Sequence, residues 1–323
     1  MKNTIVELRN LKIHYLSRMG LFRNDVVKAV DGVSLELSRS EMVALVGESG
    51  CGKSTLGRAS LRLVRANEGQ VFFNGEDITH LSEKDIAWFR RRAQMIFQDP
   101  YSSMDPFMNV AQVISEPLEI HKMGNEAEIR KMVLLTLENV GLTPPEEIAK
   151  KYPHQLSGGQ RQRVGIARAL VLNPDYLVVD EPVSMIDASS RAGIMYLLED
   201  LRRKYGVTFL YITHDIATAK HFSDRIAVMY LGRIIEEGPT EEVIQDPLHP
   251  YTKALLDTIP EPDPKNRFQI RPSISGEPPS STKIPFGCRF HPRCKSYVAD
   301  KCGSIDPSTK NVRVGRKIAC LLH

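Results

Sequence analysis

Residues 47–54, GESGCGKS, lie between the apolar run MVALV and the helical pattern TLGRASLRL. This matches G-x-x-x-x-G-K-[ST] with a strand before it and a helix after it, which is the context that gives the motif meaning. It commits this part of the chain to an α/β architecture, in which a buried strand delivers a glycine-rich loop to a helix N-terminus. Successive backbone N–H groups in such a loop, aided by the positive end of the helix dipole, cradle a polyphosphate. Gly47, Glu48, Ser49, Gly50, Cys51, Gly52, Lys53, Ser54 and Thr55 are therefore candidate nucleotide-binding residues. Lys53 is expected to reach the terminal phosphates, and Ser54 to ligate Mg²⁺. Cys51 reads as a small spacer whose backbone matters more than its thiol.

Other segments supply the rest of a hydrolytic site. DYLVVDEP and VTFLYITHD are short, nearly all-apolar runs, as expected of strands covered on both faces of a parallel sheet. The stretch SSRAGIMYLLEDLRRKYG between them is helical, completing a βαβ crossover. Asp180 ends the first strand, where it is placed to serve Mg²⁺, and Glu181 steps into the loop to orient or deprotonate an attacking water. His214 follows the second strand, at the strand end where such sheets gather ligand-binding groups. Gln98, in MIFQDPYSSMDP, stands where a strand gives way to a proline-broken loop, so its amide is a candidate contact for Mg²⁺ or water.

Residues 156–160, LSGGQ, open a long helical pattern without a lysine to hold a phosphate. GESGCGKST, Gln98, LSGGQ, YLVVDEP and His214, in this order, closely resemble the nucleotide-binding subunit of ATP-binding cassette (ABC) transporters. The resemblance covers about residues 1–240. It implies an α/β fold: a RecA-like P-loop NTPase core with an antiparallel β subdomain, an inserted α-helical subdomain at about 88–170 and a small metal-bound C-terminal extension. It also implies that Ser157, Gly158 and Gly159, backed by Gln160, meet the γ-phosphate of ATP held by a facing subunit. By the same resemblance Tyr15 stacks on adenine, and Asp187, in SMID where the family usually has SALD, links the two sites. Met185 and Ile186 depart from that pattern.

Beyond the cassette, residues 241–260 read as a helical extension. Its DPLHPYTKALLDTIP resembles the oligopeptide, dipeptide and nickel importer branch, whose motif is carried by His249, Pro250 and Tyr251. The implied partners are a second, homologous or identical ATPase subunit, two integral membrane permease subunits and an extracellular solute-binding protein. The implied place is the cytoplasmic face of the membrane. Oligopeptides or dipeptides are the expected cargo, with oligosaccharides or nickel as alternatives. Residues 261–287, rich in Pro and Ser, read as a linker to a cysteine-rich module at 288–323. There Cys288, Cys294, Cys302 and Cys320 are spaced C-x5-C-x7-C-x17-C. Four thiolates satisfy iron–sulfur or tetrahedral zinc; resemblance to the branch's C-terminal module implies a [4Fe-4S] cluster, with Zn²⁺ as the alternative.

Composition narrows the competing classes. From residue 261 onward the chain has 12 Lys/Arg against 5 Asp/Glu, so the first 260 residues carry −3 of a total of +4. The basic tail lacks the interleaved aromatics of a nucleic-acid surface, and no nucleic-acid partner is expected. No uncharged apolar run approaches the ~18 residues of a membrane-spanning helix. A cassette ATPase of DNA repair or chromosome packing would place long coiled coils between the phosphate loop and LSGGQ. Here only 102 residues separate Lys53 from Leu156. A soluble cassette ATPase carrying a redox-sensing metal module stays open as the alternative class.

Overall fold

The alternating pattern that starts the chain forms two long strands, β1 (Thr4–Arg18) and β2 (Asn24–Ser38), and β3 (Met42–Val46) follows with all five residues buried. After α1 (Lys53–Ser60) come β4 (Glu68–Phe73), β5 (Glu76–Asp77), α2 (Ala87–Arg92) and β6 (Ala93–Ile96). Helices α3 (Val110–Ile120), α4 (Glu126–Asn139), α5 (Pro145–Ile148) and α6 (Gly158–Leu170) precede β7 (Tyr176–Asp180), α7 (Ala188–Tyr205), β8 (Thr208–Thr213) and α8 (Ile216–Phe222). The chain continues through β9 (Arg225–Tyr230), β10 (Arg233–Pro239), α9 (Thr240–Gln245) and α10 (Pro250–Asp257). It ends with α11 (Ala299–Cys302), β11 (Lys310–Arg313) and β12 (Arg316–Ile318). This computed structural model describes residues 3–18, 24–101, 103–184, 186–259, 274 and 276–323. Residues 19–23, most of the linker at 261–287 and Met185 lie outside the described residues.

The chain divides into two units, Met1–Ile5 with Ser38–Glu41 and His80–Tyr211, and Val6–Leu37 with Met42–Thr79 and Ile212–His323. In the second, β2, β1, β4 and β5 lie side by side, with β1 antiparallel to β4 through Val6↔Phe73 and Leu8↔Val71. Burial along β1 changes parity, from Val6 and Leu8 to Leu11 and Ile13. The side-chain period of a strand is two, so this switch needs one extra residue. The pairing breaks between Arg9 and Lys12, and Asn10 takes φ +47°.

In the same unit β9 runs parallel to β3, from Val43↔Arg225 to Val46↔Val228, and β10 is antiparallel to β9. Sequence reading sets residues 288–323 apart as a module behind a linker. The structure differs: β12 is hydrogen-bonded to β10, with Glu236 opposite Ile318, so the tail adds β12 and then β11 to the sheet that carries the phosphate-loop strand.

The first unit holds β8, β7 and β6 in adjacent order, with β6 parallel to β7 from Ala93↔Tyr176 to Ile96↔Val179. A parallel pair ends on the same side, which brings the residues after Ile96 and after Asp180 together. The expected helical subdomain at 88–170 contains β6 as well as its helices. Helices α3, α4 and α6 pack on one another through buried faces that include Val113, Leu118, Leu137 and Val164. Asn109 and Asn125 start α3 and α4 with reciprocal capping boxes to Gln112 and Glu128, which satisfy amides that the first helical turn leaves unpaired. Among the described residues no helix is long and apolar enough to cross a membrane.

Candidate functional site

Strand β3 is buried along its whole length and releases the chain at Gly47, and α1 begins six residues later. Gly52 stands at the N-cap with φ +107°, a conformation that L side chains rarely adopt, and an added Cβ would lie 2.0 Å from the Ala29 carbonyl oxygen. A glycine brings no capping side chain, and the positive end of the α1 dipole faces the loop. Lys53 is buried; its Nζ donates to the carbonyls of Gly47 at 2.7 Å and Glu48 at 2.9 Å and lies 3.8 Å from Cys51 Sγ. The ammonium thus folds back over the loop that holds it. Burial pushes the Cys51 thiol up from its ordinary range despite the neighbouring Lys53. Ser54 and Thr55 are half-buried on α1, Ser49 and Gly50 are exposed, and Tyr15 on β1 is 42% exposed. In the same unit His214 is exposed, one residue beyond β8.

In the other unit the parallel ends of β6 and β7 carry Gln98 and Glu181. Gln98 Nε2 donates to Glu181 Oε2 at 3.0 Å, while Asp180 is buried at the last position of β7. Glu181 has φ +43°, an unusual value for a non-glycine residue and one that turns the chain abruptly out of the strand. LSGGQ opens α6. Ser157 is the N-cap, its Oγ accepting from the Gln160 N–H at 3.2 Å, and Gln160 Oε1 accepts from the Ser157 N–H at 3.0 Å. The Ser157 amide therefore has a partner within its own chain. Gly159 is buried: a Cβ there would come 3.3 Å from Ser190 Oγ. Asp187 caps α7 by accepting from the Ser190 N–H at 3.0 Å.

The HPY segment has a local physical account. His249 caps α10: its Nδ1 accepts from the Tyr251 N–H at 3.0 Å, and Pro250 fills the first helical position, where no N–H is needed. Burial, aided by the charge of His323, holds the His249 imidazole down to about 3. The Tyr251 hydroxyl accepts from the Glu48 N–H of the phosphate loop at 2.9 Å. Sequence reasoning missed this contact and also missed Glu236, which is completely buried. Glu236 accepts from the Leu248 and His249 N–H groups at 2.9 Å each and pairs with the fully buried Arg316 at 2.8 Å. No local pattern marks such a carboxylate, since its partners lie 12 to 80 residues away.

All five cysteines are free thiols. Burial, with a lesser contribution from Cys320, Cys302 and Cys294, pushes the Cys288 thiol up to about 11, and burial also raises Cys294 and Cys320. The four tail thiols thus lie within electrostatic reach of one another. Even so, among the described residues no group of three or more His, Cys, Asp or Glu side chains is arranged to hold a metal ion. The donors suit iron–sulfur chemistry, and the structure does not show a metal-bound extension.

Residues 30–184 match the ABC transporter family, and residues 235–302 match the family described as oligopeptide/dipeptide transporter, C-terminal region. The chain is 46% identical to the putative oligopeptide transport ATP-binding protein YkfD of Bacillus subtilis, over 99% of this chain and 95% of that protein. It is 43% identical to the oligopeptide transport ATP-binding protein AppF of the same organism, over 100% and 98%. Among solved structures, the dimeric post-hydrolysis state of the ATP-binding cassette MJ0796, bound to ADP and phosphate, is similar over 73% of this chain and 99% of that one, with 32% identity and a TM-score of 0.65. With a cassette whose loop, acidic strand end and LSGGQ helix occur in the family's order, followed by the branch's C-terminal region, the chain belongs to the ATP-binding, ATP-hydrolysing subunits of ABC transporters of the oligopeptide/dipeptide type.

Proposed function

We propose that this ATPase subunit drives import of oligopeptides or dipeptides as a peripheral component at the cytoplasmic face of a membrane. Its partners in that reading are a second ATPase subunit, identical or homologous, two integral membrane permease subunits and an extracellular solute-binding protein. What carries the reading is that both the cassette and the oligopeptide/dipeptide C-terminal region occur in one chain that aligns end to end with the oligopeptide transport relatives.

In this proposal the loop amides and Lys53 hold the polyphosphate, Tyr15 stacks on adenine, and Glu181 orients or deprotonates the attacking water, with His214 contacting the γ-phosphate. The oxygen donors Ser54, Gln98 and Asp180 suit a hard cation and would hold Mg²⁺, which when bound neutralises charge on the phosphates. Ser157, Gly158, Gly159 and Gln160 face the ATP of the second subunit, and Asp187 helps to link the two sites. The dimer bound to ADP and phosphate in MJ0796 supports this pairing by analogy. Since the Ser157 amide is already bonded to Gln160, the Gly158 and Gly159 amides are the donors that need no rearrangement.

The test is reconstitution of the full transporter in proteoliposomes. ATP turnover should rise on adding peptide-loaded solute-binding protein, and stimulation by an oligosaccharide or nickel instead would overturn the peptide assignment. The proposal also retains a [4Fe-4S] cluster on Cys288, Cys294, Cys302 and Cys320, supported by the suitability of four thiolates as its ligands and by the resemblance to the branch's C-terminal cysteine module. Iron and sulfide in the anaerobically purified chain, with visible charge-transfer absorbance, would bear it out; stoichiometric zinc without iron would replace it with Zn²⁺.

A further inference from the structure

We propose that Arg293 and Tyr251 are positioning residues of the phosphate loop, through which the C-terminal region sets the affinity of this chain for MgATP. This rests on the reading that residues 47–54 hold the polyphosphate.

The observation behind it is that Glu48, the second residue of the loop, is engaged at every polar group. Its carboxylate accepts from Arg293 at 2.7 and 2.9 Å, its N–H donates to the Tyr251 hydroxyl at 2.9 Å, and its carbonyl accepts from Lys53 at 2.9 Å. Two of these partners come from 203 and 245 residues further along the chain and converge on one loop residue. The Arg293 side chain is 5% exposed and engages the carboxylate with both arms of its guanidinium, the geometry that fixes orientation as well as attraction.

The groups that hold Glu48 are themselves held. Arg293 also donates to the Tyr230 hydroxyl at 3.4 Å. The Tyr230 ring lies 4.7 Å from that of Tyr251 and 5.3 Å from that of Phe290, and Tyr251 and Phe290 are 5.3 Å apart, so the rings form a closed aromatic triangle that leaves the Tyr251 hydroxyl little freedom. Arg289, four residues before Arg293, is tied to Asp31 and to the Leu231 carbonyl. The loop supplies little stiffness of its own: Gly50 and Gly52 both take positive φ, and glycine explores more backbone conformations than any other residue. Anchoring Glu48 from outside orders the approach to the phosphate-binding amides before nucleotide arrives, and such preorganisation appears as affinity.

A contact that only glued the tail to the core would change melting temperature and leave nucleotide binding alone, so binding is the discriminating readout. Mg²⁺-mant-ATP is titrated into the full-length chain, alongside steady-state ATP turnover, for Arg293→Gln, Arg293→Lys, Tyr251→Phe, Glu48→Gln and the Glu48→Gln/Arg293→Gln double variant. Arg293→Gln should weaken mant-ATP binding about fivefold or more. KM for ATP should rise in parallel, and kcat at saturating ATP should fall less than affinity does. Arg293→Lys should recover only part of the loss, because an ammonium does not reproduce the two-armed grip. The double variant should bind no more weakly than the worse single one, as coupled residues do. Affinity in Arg293→Gln within about twofold of the parent, with the tail still protected from hydrogen exchange, overturns the proposal, as do losses that multiply in the double variant. Should Arg293→Gln unfold the tail, Tyr251→Phe decides, since it removes a single oxygen: unchanged affinity there is equally fatal. Lys53→Ala tests the loop assignment separately, and if it leaves mant-ATP binding intact, it is the phosphate-loop reading that fails.

Discussion

Glu181 takes φ +43° at the end of a fully buried strand while its carboxylate accepts a hydrogen bond from Gln98. A bulky residue held in that region stores strain of the kind found at working sites. In Glu181→Gln the side chain keeps its shape and an oxygen to accept from Gln98, but it cannot take a proton. ATP binding is therefore expected to survive while phosphate release falls by about 10²- to 10⁴-fold. The same variant should accumulate as a dimer in saturating MgATP, read by light scattering, and a strictly monomeric variant would contradict the facing-subunit arrangement. Gly52 makes a second prediction, because geometry separates it from Gly50. Both have positive φ, but a Cβ at Gly52 would meet the Ala29 carbonyl at 2.0 Å, whereas at Gly50 it would meet nothing within 4 Å. Gly50→Ala should carry only the conformational cost of about 1–2 kcal/mol. Gly52→Ala must also displace backbone, so its urea midpoint should fall further and its mant-ATP binding should be lost. Equal effects of the two would show that the loop tolerates the shift.

Two helix starts, those of α6 and α10, show how much of this molecule is legible from its residues. Ser157 and Gln160 stand in the S-x-x-Q spacing of a capping box, and that signal is local, so sequence could have revealed it beside the proposed phosphate-facing role. The parallel strands, the phosphate loop and the strand-end acids were readable for the same reason: each is a pattern within a few residues. The parity switch at Asn10 was not, because an extra residue is detected only against the strand it pairs with. His249 was legible as a motif but not as a cap, since its function depends on burial supplied by distant segments. That burial makes a prediction about pH. The folded chain holds His249 neutral down to about 3, whereas the unfolded imidazole takes a proton near its ordinary value of 6.5. The unfolded state therefore binds more protons between these two values, so stability falls as pH drops through that window and this contribution is flat above it. His249→Asn keeps a short side-chain acceptor for the α10 cap but removes the titration. Its unfolding free energy, measured by urea at pH 7 and pH 5, should lose less on acidification than the parent's, and equal losses would remove His249 from the account.

At the scale of the whole chain, the unexpected feature is that the basic tail belongs to the cassette sheet. A stretch with so many Lys and Arg reads as solvated surface, and the sequence shows no reason to bury one of them. Arg316 nevertheless lies at 0% exposure against Glu236, also at 0%, and it reaches the Asp246 carbonyl as well. Glu236 simultaneously receives the N–H groups of Leu248 and His249. One carboxylate thus joins β10, the start of α10 and β12, so the tail, the HPY helix and the sheet edge share a single buried junction. Buried ion pairs are weak sources of net stability, because desolvation offsets the attraction, but removing one member leaves the other charged and unpaired. Arg316→Met should therefore destabilise the chain by about 3–5 kcal/mol. The Arg316→Met/Glu236→Gln double variant removes the stranded charge and retains an amide oxygen for one of the two backbone donors, so it should be more stable than Arg316→Met alone. Urea unfolding of the full chain checks both. If the single variant lost less than about 1 kcal/mol, the pair would behave as exposed salt bridges do and the junction would not hold the tail. If the double variant were the less stable of the two, Glu236 would be acting through its backbone partners rather than through Arg316, and the tail strand would be held by its ladder to β10 alone.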